Sequence, residues 1–210
     1  MKNPSQNNIL YLSNDTLIGQ GTHKKCFLHP SDKTKCIKIA YNSLGEKDLK
    51  REIFYLNTPF RKKHPSYSLP AFYGPICTNY GQGYIWELVK IDKNFPYPNL
   101  GVWLRDKKTS NLDIIIHKSI LKLKESIWSD EIVTMSIWPE NILLEKQNSS
   151  YRAVLVNDLG SAACVPLVYY VHFLRKKHIY RRWENFCQYS FQIAATRKKD
   201  FVKQWETFNL

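Results

Sequence analysis

Short apolar runs separated by turn residues fill the first 90 positions and read as strands around one helix. Thr16 to Ile18 is apolar and leads into Gly19-Gln20-Gly21, and Lys25 to Leu28 reads as a second strand. His29-Pro30-Ser31-Asp32 is turn chemistry. Lys35 to Ala40 alternates and predicts a third strand. Leu49, Ile53 and Leu56 recur at helical spacing and predict a helix over Glu46 to Leu56. Pro70 to Ile76 and Tyr84 to Lys90 predict two more strands, with Asn79 to Gly83 as the hairpin turn between them. Phe95-Pro96-Tyr97-Pro98 breaks the pattern. Beyond it, Ser110 to Ser129 predicts a helix, Ile137 to Leu144 a loop running into a strand, and Tyr151 to Val156 a second strand. From Val165 onward the pattern is helical and dense in aromatic and basic residues. There is no internal repeat and no low-complexity segment.

Composition narrows the class. With 43% hydrophobic and 14% aromatic residues in 210 positions, the chain is long and apolar enough for a real core. The five cysteines (26, 36, 77, 164 and 187) form no CxxC pair, which argues against a zinc site or a disulfide framework and suits a reducing cytoplasm. Met1 to Asn8 has no apolar core, so no signal peptide is expected, and no apolar run approaches the ~18 residues of a membrane span. The expected location is cytoplasmic, with contact at the inner membrane as an extension. Net charge is +13, from 31 basic against 18 acidic residues, and predicts an anionic partner. Three clusters carry it: Arg61 to His64; Arg175 to His178 with Arg181 and Arg182; and Arg197, Lys198, Lys199 and Lys203.

Five features in one order carry candidate chemistry. Gly19 and Gly21 lie between two strands, where glycines let backbone N–H groups approach phosphates. Lys38, in Cys36-Ile37-Lys38-Ile39-Ala40, sits among apolar residues and wants an anionic partner. Glu52 lies within the apolar helix, with Glu46 and Asp48 as competitors. Trp86-Glu87-Leu88-Val89 closes the last strand. The fifth is Pro139-Glu140-Asn141-Ile142-Leu143-Leu144, followed by a strand and Asp158-Leu159-Gly160. Together these resemble the protein-kinase-like fold: α+β and two-lobed, with a five-stranded N-lobe and one helix over residues 1–88 and a shortened, mainly helical C-lobe over 89–210. The resemblance implies ATP and Mg²⁺ as cofactors. Gly19, Gly21 and Lys38 would hold the nucleotide phosphates, and Glu52 would pair with Lys38. Glu87 and Val89 would form the adenine hinge, with Trp86 at the back of the pocket. Asn141 and Asp158 would ligate the metal, an amide and a carboxylate oxygen suiting a hard cation.

Two departures shape the functional expectation. Lys24 stands where the third glycine of the phosphate loop belongs. Thr134-Met135-Ser136 stands where the kinase motif has His-Arg-Asp, so Ser136 occupies the catalytic-base position, and a hydroxyl cannot accept a proton as a carboxylate does. General-base catalysis is worth roughly 10²–10⁴-fold, whereas phosphoryl transfer rests mostly on positioning and electrostatics. The segments Gly19 to Pro30, Lys35 to Ile39 and Ile132 to Ser136 also resemble the YrbL-type proteins of Gram-negative bacteria, the PhoP regulatory network proteins, over about residues 12–186. The Thr-Met-Ser replacement is a feature of that family.

Only 50 residues follow Gly160, and no activation segment or Ala-Pro-Glu anchor is readable. That disfavours a peptide substrate. The leading expectation is phosphotransfer to a non-protein acceptor, with an envelope saccharide or glycolipid as the analogy suggested by the fold. The rivals are a pseudokinase that binds nucleotide without transfer, and a basic module for an anionic membrane surface or nucleic acid. Val168 to Trp183 suits an interfacial helix, but also an ordinary helix with its bases in solvent. No nucleic-acid motif is present, which ranks nucleic acid last.

Overall fold

The computed structural model describes residues 9–91, 97–106, 112–148, 150–162 and 167–195. Phe95, Pro96, Cys164 and the basic cluster at 197–203 lie outside them. By internal contacts the chain divides into two units, residues 1–50 with 70–88, and residues 51–69 with 89–210.

The first unit holds a five-stranded antiparallel sheet: β1 (Leu17–Gln20), β2 (Lys24–Leu28), β3 (Lys35–Ala40), β4 (Phe72–Thr78) and β5 (Gly81–Glu87), in the order β1-β2-β3-β5-β4. Alternation on β3 sends Ile37 and Ile39 to a core face with Phe27 and Leu12. Lys38 and Cys36 take the opposite face. Register sets Lys38 against Cys26 and Tyr84, and Cys36 against Trp86. The β4–β5 turn is tighter than expected, because Gly81 to Gly83 belong to β5 and Gly81 adopts φ +93°.

Helix α1 (Ser43–Leu56) begins three residues earlier than its apolar spacing suggests. Asn42 Oδ1 accepts the Gly45 N–H at 2.9 Å and caps it. Gly45 is required there, since a Cβ would lie 2.2 Å from the His23 carbonyl oxygen. The helix crosses the division at Lys50–Arg51.

The second unit contains the end of α1, then α2 (Pro59–Lys63), α3 (Leu100–Arg105), α4 (Leu112–Ser129), the hairpin β6 (Ile142–Gln147) and β7 (Ser150–Leu155), and α5 (His172–Ala195). Ile116, Ile120, Leu123 and Ile127 line one face of α4. They pack into a core with Leu100, Trp103, Ile142, Leu155, Trp183 and Phe186. The helical pattern expected from Val165 resolves into a 3₁₀ turn at Leu167–Tyr169 before α5.

Not every member of the basic clusters is a surface charge. Arg61 is buried and donates to the Asp130 carbonyl at 2.9 Å. Arg175 is also buried and donates to the Glu131 carboxylate at 2.5 Å. Burial opposes ionisation of Glu131, but Arg175 and Lys176 outweigh it and hold the carboxyl below its ordinary range.

Candidate functional site

Asp158 follows β7 and is the centre of a polar cluster within the second unit. Its backbone is left-handed at φ +62°, a conformation aspartate tolerates better than most residues. Such a residue costs on the order of 1–3 kcal/mol, and the surroundings hold it at every polar atom. Its N–H donates to Glu52 Oε1 at 3.0 Å. Its carbonyl accepts from Met135 N at 2.8 Å and from Thr134 Oγ1 at 2.7 Å. Its Oδ2 accepts from Ser136 Oγ at 2.9 Å and from Asn141 Nδ2 at 3.1 Å. Arg51 Nη2 lies 3.8 Å from its Oδ1, while Arg51 Nε donates to the Leu159 carbonyl at 3.2 Å. Hydrogen bonds to a charged group are worth about 1.5–3 kcal/mol each, which is ample to offset the backbone cost.

Asn141 ends a 3₁₀ turn, Pro139–Asn141, whose Pro139 sets the entry angle. The turn is fixed by Asn141 N to the Trp138 carbonyl at 2.9 Å and by Val156 N to the Asn141 carbonyl at 3.0 Å. Asn157 Nδ2 donates to Asn141 Oδ1 at 3.2 Å. One carboxylate and one amide thus stand side by side. This hard-oxygen donor set would suit a Mg²⁺ ion that also takes phosphate oxygens. Among the described residues no group of three or more His, Cys, Asp or Glu could hold a metal ion.

Of the sequence-predicted residues, Ser136, Asn141, Asp158 and Glu52 therefore come together. Glu52 is fully buried, which explains why its carboxylate is committed to protein partners. Of the alternatives, Glu46 pairs with Lys50 on the helix surface.

The loop carrying Ser136 is braced from α5. The Thr134 carbonyl can only accept, so His178 Nε2 donates to it, at 2.7 Å. Burial lowers the His178 pKa, and the neighbouring Arg182 and Arg181 lower it further, against the opposing pull of the Thr134 bond. Further along, Trp138 meets Tyr189 edge-on, with ring centroids 4.9 Å apart. From the other side, Tyr55 Oη accepts the Val133 N–H at 2.9 Å.

The first unit holds the other candidates. Gly19 and Gly21 are exposed beside a bulge in β1, and a Cβ on Gly19 would meet nothing within 4 Å. The turn is tied by Gly21 N to the Lys24 carbonyl at 2.9 Å and by Tyr41 Oη to the Gly21 carbonyl at 2.6 Å. Lys24, in the third-glycine position, opens β2. Lys38 is buried, with Nζ 4.6 Å from the Trp86 ring centroid. At the hinge, the N–H groups of Glu87 and Leu88 are taken by the Ala71 and Thr34 carbonyls, both at 2.8 Å. The Glu87 carboxylate accepts from Ala71 N at 2.9 Å. Val89 is buried in the second unit.

Sequence reasoning missed Arg51, Tyr55 and His178. The signal for the first two was helical spacing, since residues 51, 52 and 55 share one side of α1. Nothing in the sequence pointed His178 at residue 134.

The chain has a protein-kinase-like fold. The PknI kinase domain of Mycobacterium tuberculosis superposes with a TM-score of 0.58 at 9% identity, covering 92% of this chain and 83% of that one. A CAK complex from Chaetomium thermophilum bound to ATP-gamma-S aligns over 68% of this chain at 14% identity and a TM-score of 0.49, and this chain spans 45% of its length. The fold is read from the first of these. A family model described as PhoP regulatory network protein YrbL matches residues 10–190, and the chain belongs to that family. Proteins of Escherichia coli (strain K12) and Shigella flexneri, both described as Uncharacterized protein YrbL, are each 29% identical over 196 residues, or 90% of this chain and 92% of theirs.

Proposed function

We propose that the chain is an ATP- and Mg²⁺-dependent phosphotransferase acting on a non-protein acceptor, a saccharide or glycolipid of the bacterial envelope being the class that fits best. The observation that carries this reading is the Ser136–Asn141–Asp158 cluster, in which a carboxylate and an amide are held beside the residue at the catalytic-base position. In this reading residues 1–88 are the N-lobe and 89–210 the C-lobe. Gly19, Gly21 and Lys38 hold the phosphates, Glu52 supports Lys38, and the backbone of Glu87 and Val89 holds adenine. Asn141 and Asp158 would hold Mg²⁺, which when bound neutralises charge on the transferring phosphoryl group. The acceptor oxygen bonds to the γ-phosphorus, the bond from that phosphorus to the bridging oxygen breaks, ADP leaves with the electron pair, and the hydroxyl proton passes to solvent. A loose transition state keeps that proton in place until late, which limits the loss from having Ser136 in place of a carboxylate. Against a peptide acceptor stands the short interval from Gly160 to the start of α5 at His172, which leaves little chain for a peptide-docking segment. Contact with an anionic membrane is an accessory part of the reading, supported by exposed Tyr170 and Phe173 beside exposed Lys177.

A second reading, nucleotide binding without transfer, is favoured by one observation: Ser136 spends its hydroxyl as a donor to Asp158. ADP release separates the two. Acceptor-dependent ADP release that is lost in Asp158→Ala supports the enzyme. Binding of ATP with no ADP release from any saccharide acceptor supports the pseudokinase.

A further inference from the structure

One face of α5 runs beside the loop that carries Ser136. His178 and Tyr189 anchor it: His178 Nε2 to the Thr134 carbonyl at 2.7 Å, and Tyr189 to the Trp138 ring at 4.9 Å. These contacts bracket Ser136, two residues from each loop anchor. The lengths match, since eleven helical residues rise about 16 Å and four extended residues span at most about 14 Å. Arg182 lies between the anchors, four residues after His178 and seven before Tyr189. Steps of four and seven keep all three side chains on one helix face. Arg182 is partly buried, and its Nε is shielded from solvent with no hydrogen-bond partner among the described residues. An unsatisfied guanidinium N–H is costly. Glu184 is engaged with Tyr180, and Glu131 with Arg175, His172 and Lys176. Burial and the like charge of Arg181 both lower the Arg182 pKa. Trp138, on the loop at the second anchor, remains 43% exposed.

We propose that Arg182 and Trp138 form the acceptor subsite, Arg182 taking the phosphate or carboxylate of an anionic saccharide and Trp138 covering its ring. This rests on the phosphotransfer reading and adds the substrate class to it: the acceptor already carries an anionic group near the hydroxyl presented at Ser136. Arginine suits that task because its planar fork matches phosphate and carboxylate geometry.

The test uses the full chain and ligand-observed NMR with glucose 6-phosphate and with glucose as probes, on wild type, Arg182→Gln, Arg182→Lys and Lys118→Gln. Lys118 is an exposed residue of α4 and removes the same charge elsewhere. Glucose 6-phosphate should bind wild type and Lys118→Gln alike, and bind Arg182→Gln about tenfold more weakly, the loss of one charge-assisted contact. Glucose should bind wild type more weakly than its phosphate. Arg182→Lys, which keeps a charge, should fall between wild type and Arg182→Gln, and guards against a folding defect in the latter. No binding of glucose 6-phosphate, equal binding by wild type and Arg182→Gln, or an equal loss in Lys118→Gln overturns the subsite. ATP binding with Mg²⁺ is read on the same samples. If ATP binds and glucose 6-phosphate does not, the subsite alone falls. If glucose 6-phosphate binds through Arg182 and ATP does not, the phosphotransfer reading falls.

Discussion

Ser136 donates its hydroxyl to Oδ2 of Asp158 across 2.9 Å, on the same oxygen that accepts from Asn141. In the proposed reading, the residue at the catalytic-base position therefore supports the carboxylate that would hold the metal instead of competing with it. Ser136→Ala should remove one charge-assisted bond and lower stability by about 1–2 kcal/mol. Ser136→Asp sets two carboxylates against each other, which disfavours ionisation of both. Its unfolding midpoint should fall below that of wild type without divalent cation and recover when Mg²⁺ is added. A midpoint that does not respond to Mg²⁺ in Ser136→Asp would argue that no cation reaches this carboxylate.

Arg51 sits 3.8 Å from the other oxygen of Asp158 and acts as a built-in counter-cation. Removing it should leave the carboxylate more attractive to a metal. Arg51→Gln is expected to bind Mn²⁺ about tenfold more tightly than wild type, the scale of a partly screened pair at this distance. Electron paramagnetic resonance of free Mn²⁺ measures this directly. Unchanged or weaker binding would show that Arg51 does not compete with a cation for Asp158.

Much of this fold was legible from alternation and turn chemistry. Lys35 to Ala40 reads as a strand because its apolar residues alternate, and β3 occupies that span. The short helices were not legible. Five residues of α2 and six of α3 give too little periodicity, and α2 depends on Thr58 capping Arg61 N at 3.2 Å. The site divides the same way. Ser136, Asn141 and Asp158 stood out because they lie in one motif, and the hairpin brings them together. Arg51 and His178 did not, because each reaches a backbone carbonyl far away in the chain, Leu159 and Thr134, and a carbonyl leaves no mark on the sequence. Arg61 and Arg175 misled for the related reason that a charge run does not say which member turns inward.

Gly160 carries a steric prediction. Its φ is +87°, and a Cβ there would lie 2.7 Å from Tyr169 Oη and 3.0 Å from Tyr55 Cβ. Gly160→Ala should cost about 2–4 kcal/mol through backbone strain and overpacking. It should also loosen the Gly160 N to Val133 carbonyl bond at 2.9 Å, which ties the Asp158 segment to the Ser136 loop. Chemical denaturation reads the loss, and a midpoint within error of wild type would contradict it.

His178 gives a pH signature. Its folded pKa lies below the ordinary value near 6.5, chiefly through burial. Protonation therefore favours the unfolded chain. The contribution of neutral His178 is fully present above about pH 6.5 and is lost as pH falls below it toward the folded pKa. Stability of wild type should decline between about pH 7 and 5. His178→Gln, which keeps a donor for the Thr134 carbonyl, should lose that part of the slope. Parallel slopes in the two proteins would show that His178 does not titrate on unfolding.

The proposed function requires that ATP and Mg²⁺ bind the chain, with Lys38 and Asp158 contributing. Thermal unfolding with ATP, with and without Mg²⁺, tests it most directly, since a ligand that binds only the folded state raises the midpoint. Wild type should gain stability with ATP and gain more when Mg²⁺ is present. Lys38→Ala should lose most of the ATP shift, and Asp158→Asn should lose the added effect of Mg²⁺. A midpoint for wild type that ATP and Mg²⁺ leave unchanged would contradict the account.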